Sequence, residues 1–144
     1  MTFLSLAALL CATLFTGAAL YINLVEHPAR LLLADGPLLA QWQPSYKRAL
    51  PIQSGLAVAG GVAGLVAGYL SADWRWVAGS ALLLANWPYT LLVMMPDNKR
   101  LMAMTHTEAG ERSRALLVEW GRQHGVRSAL GAGATACFVW ALAG

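Results

Sequence analysis

The sequence is poor in charged residues. Only 12% of its 144 residues are Asp, Glu, Lys or Arg, whereas 58% are hydrophobic. A water-soluble domain carries about 25% charged residues. This deficit argues against an ordinary soluble protein and predicts that lipid is the main solvent. The length leaves room for a single domain, which we assign to residues 1–144.

Several common functional motifs are also missing. The chain has no CxxC pair, phosphate-binding loop, nucleophile elbow or dinucleotide fingerprint. Its two cysteines, Cys11 and Cys137, lie in apolar runs. They would be able to form a disulfide if the first and fourth helices touch, but we favour small buried hydrophobic side chains. The first run has no basic segment before it and is too long for a signal sequence, so we expect it to be retained.

Long apolar runs dominate the rest of the chain. A helix needs about 20 residues to cross the hydrocarbon core of a bilayer. We therefore predict an all-α integral membrane four-helix bundle. The approximate spans are residues 3–25, 51–72, 76–95 and 125–143. Between the third and fourth spans, residues 108–123 carry an apolar stripe of Leu116, Leu117 and Trp120. This stripe predicts an interfacial amphipathic helix.

The basic residues predict the orientation. Of ten Lys and Arg residues, three lie in residues 26–50 and six in residues 96–127, which leaves only Arg75 in the second connection. The positive-inside rule places the first and third connections in the cytoplasm. We expect a multi-pass protein of the inner (plasma) membrane with both termini outside. Because this distribution is explained by topology and lipid headgroups, we expect no nucleic acid partner.

Small residues recur on the second span, where Gly60, Gly64 and Gly68 are four residues apart. This spacing lets helix backbones approach closely in lipid. The partner is either a neighbouring helix of the same chain, which we favour, or a second copy in a homodimer.

The third span contains the sequence Asn86-Trp87-Pro88. Pro88 cannot donate a backbone hydrogen bond, so we expect a kink. Asn86 would lie near the bilayer midplane. It would either bond across to a neighbouring helix or belong to a functional site.

Two rows of polar residues lie at helical spacing, on helix ends that face the same side of the membrane. The first row is Asn23, Glu26, His27 and Arg30, and the second is Trp120, His124 and Arg127. Ionisable groups near lipid are costly and indicate a functional site. Surface decoration explains two such rows poorly, since each contributes a histidine and an arginine.

A metal site is the alternative use of these residues. Glu26, His27 and His124 would provide the ligands, and copper or iron would suit them. No metal-ligand spacing is diagnostic in the sequence, so we predict no cofactor.

Short motifs along the chain carry a family resemblance. The first half has Leu14-Phe15-Thr16-Gly17, Glu26-His27-Pro28-Ala29-Arg30 and residues 42–53. The second half has Asn86-Trp87-Pro88, Pro96-Asp97-Asn98-Lys99-Arg100-Leu101 and Trp120-Gly121-Arg122-Gln123-His124-Gly125-Val126-Arg127. With these motifs the chain resembles the anthrone oxygenase-like membrane family. The family's polar positions match here as Glu26, Asn98, His124 and Arg127.

The resemblance implies a four-helix membrane bundle that oxidises a lipophilic aromatic substrate, anthrone-like or phenol-like, with O2. Fungal members convert an anthrone to an anthraquinone without a recognised organic cofactor. The catalytic residues would be Glu26, His27, Arg30, His124 and Arg127. The substrate-binding residues would be Trp42, Tyr46, Asn86, Trp87, Asn98 and Trp120.

In this interpretation His124 or Glu26 removes a carbon-bound proton. Arg127 and Arg30 then stabilise the resulting oxyanion. Two other functions stay open. One is a metal-dependent membrane redox enzyme with the same pocket. The other is a non-enzymatic module that binds a small molecule or a partner protein, in which case salt bridges should lock both polar rows and leave no open pocket.

Overall fold

The computed structural model describes residues 2–144, and all regular secondary structure within them is helical. Four of the described helices are long and apolar enough to cross a membrane. They are α1 (Phe3–Arg30), α2 (Asp35–Ser71), α3 (Trp74–Ala103) and α4 (Glu111–Leu142). A single 3₁₀ turn, His106–Glu108, lies between α3 and α4. The predicted all-α class and the four candidate spans are confirmed.

Each helix extends beyond the span predicted for it. The predicted spans left residues 26–50 as the first connection, but it is only residues 31–34, because α1 ends at Arg30 and α2 begins at Asp35. Pro37, Pro44 and Pro51 lie within α2, seven residues apart, and all three are exposed. Pro44 and Pro51 lie in the helix interior and each removes one backbone hydrogen bond, whereas Pro37 lies in the first turn, where its missing N–H removes none. Because the three prolines share the outer face, α2 continues through them.

Two helices contain a wide turn. In α1 the turn Ile22–Glu26 is π-helical, and in α3 the turn Thr90–Met94 is π-helical as well. Such turns occur frequently at functional sites. The regular helix of α3 is also interrupted at Ala85, just before Asn86 and Pro88. The kink predicted from Pro88 therefore coincides with a real irregularity.

The helix α4 runs without a break through Gly125, so the separate interfacial helix predicted for residues 108–123 is not found within residues 2–144. Its apolar stripe has a different use. Leu117 and Trp120 are buried against Leu38, Leu39 and Trp42 of α2. Packing inside the bundle leaves this stripe no reason to lie along a membrane surface.

The half of the bundle formed by the N-terminal part of α1 and the C-terminal part of α4 is packed through small residues. We call it the glycine-packed half. A Cβ atom on Gly60 would lie 2.8 Å from Cys11 Cβ, and one on Gly64 would lie 2.8 Å from the Phe138 ring. Gly68 meets Val77 in the same way. The glycine stripe is therefore used within the chain, as favoured above. A homodimer stays a prediction that would need another surface.

We expect Gly64→Ala to lower stability, because the new methyl group would overlap the Phe138 ring and the Ser80 hydroxyl. Overpacking of this kind costs about 1–3 kcal/mol. The control is Gly55→Ala in the same helix, where nothing lies within 4 Å of the added carbon. There the better helix propensity of alanine should leave stability equal or higher by up to about 1 kcal/mol. Thermal unfolding in detergent would compare them, and equal midpoints would contradict the packing described.

Candidate functional site

Buried polar side chains concentrate in the other half of the bundle, where the C-terminal part of α1 meets the N-terminal part of α4. Six of the predicted site residues are almost completely buried there: His27, Arg30, Asn86, Asn98, His124 and Arg127. The structure thus brings these residues into the interior, and their catalytic and binding roles stay predictions.

On α1, Glu26 and Arg30 form a closed ion-pair network with α2. Arg30 Nη2 donates to Glu26 Oε1 at 2.5 Å and to Ser45 Oγ at 3.1 Å. Arg30 Nε donates to Gln41 Oε1. Ser45 Oγ in turn donates to Glu26 Oε1 at 2.8 Å. Three donors, from Arg30, Gln41 and Ser45, converge on Glu26 Oε1, so the network ties α1 to α2.

The His27 ring is wedged against α4. Its Nε2 lies 2.8 Å from the backbone carbonyl oxygen of Leu117, which can only accept, so Nε2 carries a hydrogen and donates it. A Cβ atom on Gly121 would lie 2.6 Å from the His27 ring. Glycine is therefore needed at position 121 for the two helices to meet here.

His124 is held from α1 by Asn23. Asn23 Nδ2 donates to the backbone oxygen of Gly121 at 2.9 Å, and its Oδ1 lies 2.8 Å from His124 Nδ1. Ser128 Oγ donates to the same Oδ1 at 2.5 Å. Asn23 belongs to the first polar row, yet neither it nor Ser128 was predicted as a site residue. Its spacing from His27 was the available signal.

Aromatic rings separate and surround the two histidines. The Trp120 ring centroid lies 5.0 Å from that of His27 and 4.9 Å from that of His124. Trp42 meets Trp120 edge-on at 5.7 Å, and Tyr46 stacks on Trp42 at 4.8 Å. Trp42 and Trp120 are buried, so with Tyr46 they form an aromatic wall inside the bundle rather than anchors at a membrane interface.

Arg127 is a buried cation without a counterion. It is 5% exposed, and within residues 2–144 no carboxylate lies in ion-pair range of it and its Nε has no hydrogen-bond partner. Its guanidinium carbon lies 5.5 Å from the centre of the Phe15 ring. Burying an isolated charge is expensive. An anionic group is therefore the natural ligand for this position.

A cavity of about 120 Å³ adjoins Arg127. Three of its lining residues each have a buried polar atom without a partner in the described part of the chain: Asn86 Oδ1, Thr90 Oγ1 and Arg127 Nε. The rest of the wall is mostly apolar. It consists of Leu50, Ser54, Ala57, Trp87, Leu91 and Met95. The cavity is thus mostly apolar, with unpartnered polar atoms in its wall.

The cavity reaches the outside of the bundle between α2 and α3. Trp87 and Leu91 line it and are also exposed, Trp87 by 44%. Trp87 Nε1 lies 3.4 Å from the backbone oxygen of Ser54 on α2, across this opening. Asn86 was expected to bond to a neighbouring helix, but its Nδ2 donates to Leu83 of its own helix. Its Oδ1 is consequently left to the cavity.

A smaller cavity of about 20 Å³ lies on the other side of Arg127. His124, Trp120, Trp42 and Tyr46 line it, and Arg127 and Leu50 line both cavities. His124 and the larger cavity are therefore connected through Arg127. Thr90 was missed by the sequence analysis, although it lies one helical turn after Asn86.

Glu26 and His106 lie apart from this centre, whereas Asn98 lies beside Tyr46, which lines the smaller cavity. Glu26 lines an open groove with Tyr21 and Val25 rather than either cavity near Arg127. His106 is exposed, and its Nε2 lies 3.1 Å from Gln43 Oε1. Asn98 is buried, and neither of its side-chain polar atoms has a hydrogen-bond partner within residues 2–144.

The metal site considered as an alternative, with Glu26, His27 and His124 as ligands, is not formed in the described part of the chain. Among the described residues no group of three or more His, Cys, Asp or Glu side chains is arranged to hold a metal ion. His27 Nε2 is bonded to Leu117, and the Glu26 carboxylate is bonded to Arg30. The ligand set of Glu26, His27 and His124 therefore does not fit a three-ligand site in this arrangement.

Comparison with known proteins identifies one family. A family model described as "Anthrone oxygenase" matches residues 42–137. A protein of Claviceps purpurea (strain 20.1) named "Anthrone oxygenase" is 29% identical over 140 residues, which covers 85% of this chain and 79% of that protein. No solved structure matches the chain. The matched range includes the aromatic wall, Asn86, His124 and Arg127.

We expect Glu26→Gln to destabilise the protein, because it leaves the Arg30 side chain, 2% exposed, without its counterion. Leaving a charged group unpaired lowers the free energy of unfolding by about 1–3 kcal/mol. Because the Glu26 side chain is 26% exposed, water can partly replace the lost partner, so we expect a loss within this range. The control is Asp97→Asn, which breaks the exposed pair with Arg100 and should cost at most about 1 kcal/mol. Unfolding midpoints in detergent would measure both. A loss no larger for Glu26→Gln than for Asp97→Asn would show that the network is not structural.

Proposed function

This chain belongs to the anthrone oxygenase family, and from that premise we propose that it is a membrane-embedded oxygenase or oxidase. It uses O2 to oxidise a lipophilic aromatic substrate of the anthrone or phenol kind. The observation that carries the proposal is the unpaired, buried Arg127 at the edge of a mostly apolar cavity.

Arg127 supplies the binding site for an oxyanion. Removal of a carbon-bound proton beside an aromatic ketone places negative charge on the ketone oxygen. In a site with little water, a fixed guanidinium stabilises that charge far better than in bulk solvent. Asn86 Oδ1 and Thr90 Oγ1 line the same cavity and offer partners for a substrate hydroxyl. Arg30 is less suited to this role because Glu26 already neutralises it.

His124 acts as the base. It borders the small cavity next to Arg127, and its ring is supported by Asn23 and by the Trp120 face. The other two candidates are engaged elsewhere, since Glu26 is tied to Arg30 and His27 donates to Leu117. An imidazole held in a fixed position is the side chain that most often takes a proton in such a step.

The reaction balances without a further reductant. His124 takes a proton from the substrate CH2 group, and the carbanion gives one electron to O2. The substrate radical and superoxide combine to form a carbon–oxygen bond, and the peroxide regains the proton from His124. Loss of water from the hydroperoxide then leaves a carbonyl group. One O2 is consumed, and one oxygen atom enters the product while the other leaves as water.

The membrane supplies the substrate. The larger cavity opens between α2 and α3, on the outer surface of helices that are long and apolar enough to cross a bilayer. A lipophilic molecule would reach Arg127 from lipid past Trp87. We place the polar half of the bundle on the cytoplasmic side of the inner membrane and both termini outside, because the basic residues gather in the first and third connections.

The non-enzymatic alternative required both polar rows to be locked in salt bridges. The first row meets this condition, because Glu26 and Arg30 pair. The second row does not, since Arg127 has no carboxylate partner in the described chain and a cavity adjoins it. This difference favours chemistry at His124 and Arg127.

We expect Arg127→Met and His124→Ala each to reduce anthrone turnover by roughly 10²-fold or more, the usual effect of removing an oxyanion partner or a base. The control is Arg122→Met, which removes an exposed cation from the same helix and should leave turnover unchanged. Oxygen uptake and quinone formation by the purified protein in lipid nanodiscs would be measured together. Full turnover in both site variants would refute the proposed function.

Metal analysis tests the metal-dependent alternative. We expect detergent-purified wild-type protein to contain no near-stoichiometric copper or iron by mass spectrometry, because the donor groups of Glu26 and His27 are already bonded within the chain. The matched sample is His124→Ala. Near-stoichiometric metal in the wild type that falls in this variant would establish a metalloenzyme and place His124 among its ligands.

A further inference from the structure

We propose that Asn23 is a positioning residue that selects one tautomer of His124, with the hydrogen on Nδ1 and a free lone pair on Nε2. The inference rests on the proposed function in one respect, namely that His124 is the base. The arrangement of Asn23 itself is read from hydrogen bonds alone.

The orientation of the Asn23 amide follows from its partners. Its Nδ2 lies 2.9 Å from the backbone oxygen of Gly121, which accepts a hydrogen bond. Turning the amide over would bring two carbonyl oxygens together and lose this bond. Oδ1 is therefore the atom that faces His124 and Ser128. Amide orientation is assigned from such networks because oxygen and nitrogen look alike.

The tautomer of His124 follows in turn. Asn23 Oδ1 is an acceptor without a hydrogen, so the His124 nitrogen 2.8 Å away must donate. A neutral imidazole has one N–H, and here it is on Nδ1. Nε2 is then the atom able to take a proton. In the opposite tautomer two lone pairs would face each other across the Asn23–His124 contact.

The π turn of α1 puts Asn23 in the required place. Asn23 lies in the turn Ile22–Glu26, and His27 follows directly after it. On α4 their contacts are spread along one face: His27 reaches Leu117, while Asn23 reaches Gly121 and His124. Asn23 and His27, four residues apart on α1, thus engage successive turns of α4.

An amide suits this position better than a carboxylate. The charged groups acting on His124 within the described chain are Arg127 and Arg30. An aspartate at position 23 would add a negative charge beside the ring and favour the imidazolium form, which has no lone pair. The neutral Asn23 orients the ring while leaving it ready to accept a proton.

The direct test is to determine which ring nitrogen of His124 carries the hydrogen. Nitrogen-15 and carbon-13 shifts of labelled histidine rings would be recorded on the full chain in lipid nanodiscs, with the His124 signal identified by its absence in His124→Ala. We expect the Nδ1-protonated form in wild type and a loss of that preference in Asn23→Leu. The matched control is Ser128→Ala, which removes the other hydrogen bond to Oδ1 and should leave the tautomer as in wild type.

Two results would overturn the inference: a wild-type His124 protonated at Nε2, or an unchanged tautomer in Asn23→Leu. If the leucine variant does not fold, Asn23→Asp takes its place. Because an aspartate would also favour the imidazolium, which has a hydrogen on both nitrogens, the Asp variant is read by Nε2: an Nε2 without a hydrogen beside a protonated Nδ1 supports the inference, and a neutral ring protonated at Nε2 overturns it.

Turnover separates this inference from the proposed function. We expect Asn23→Leu to lower kcat for an anthrone by roughly 10²-fold with little change in KM, because the base is lost while the Arg127 cavity is intact. A merely structural role would instead lower stability and affect both constants. Full activity in His124→Ala would refute the assignment of His124 as the base but would not affect the tautomer result. An unchanged tautomer in Asn23→Leu would refute the positioning role of Asn23, whatever the turnover.

Discussion

The burial of Arg127 without a counterion is the constraint on which the rest of this structure depends. An unpaired charge in a low-dielectric interior is destabilising, so the surrounding fold must be stable enough to hold it. The glycine-packed half of the bundle provides that stability through close helix contacts at Gly60 and Gly64. The polar half, which contains His27 and His124, adds buried aromatic packing around Trp42 and Trp120. Tight packing at one end thus allows an incompletely satisfied site at the other.

The two arginines of the polar rows illustrate how local sequence decides the fate of a buried charge. Arg30 has Glu26 four residues before it, on the same helical face, and the two pair. Arg127 has Gln123 and Gly131 at the corresponding positions, so its own helix offers no carboxylate. One arginine consequently anchors α1 to α2, and the other is left for a ligand. The same residue type serves structure in one row and recognition in the other.

Helix irregularities coincide with the cavities. The π turn of α1 directs Asn23 and His27 toward α4, and the break at Ala85 with the π turn Thr90–Met94 opens space beside Asn86 and Thr90. Regular helices with small residues would have closed this space, as they do in the glycine-packed half. The irregular turns therefore separate a packed half from a half that can bind a molecule.

The sequence by itself determined the four candidate spans, the polar residues that would be buried and the glycine face, because apolar length and helical spacing are local properties. It also placed Glu26 four residues before Arg30, a spacing that allows the two to pair. It did not reveal that α2 passes through three prolines, that α4 is unbroken at Gly125, or that Thr90 and Asn23 belong to the site. These features depend on which helix faces which, since Asn23 matters only because Gly121 and His124 lie opposite it. Contacts between residues about a hundred positions apart were decided by tertiary packing alone.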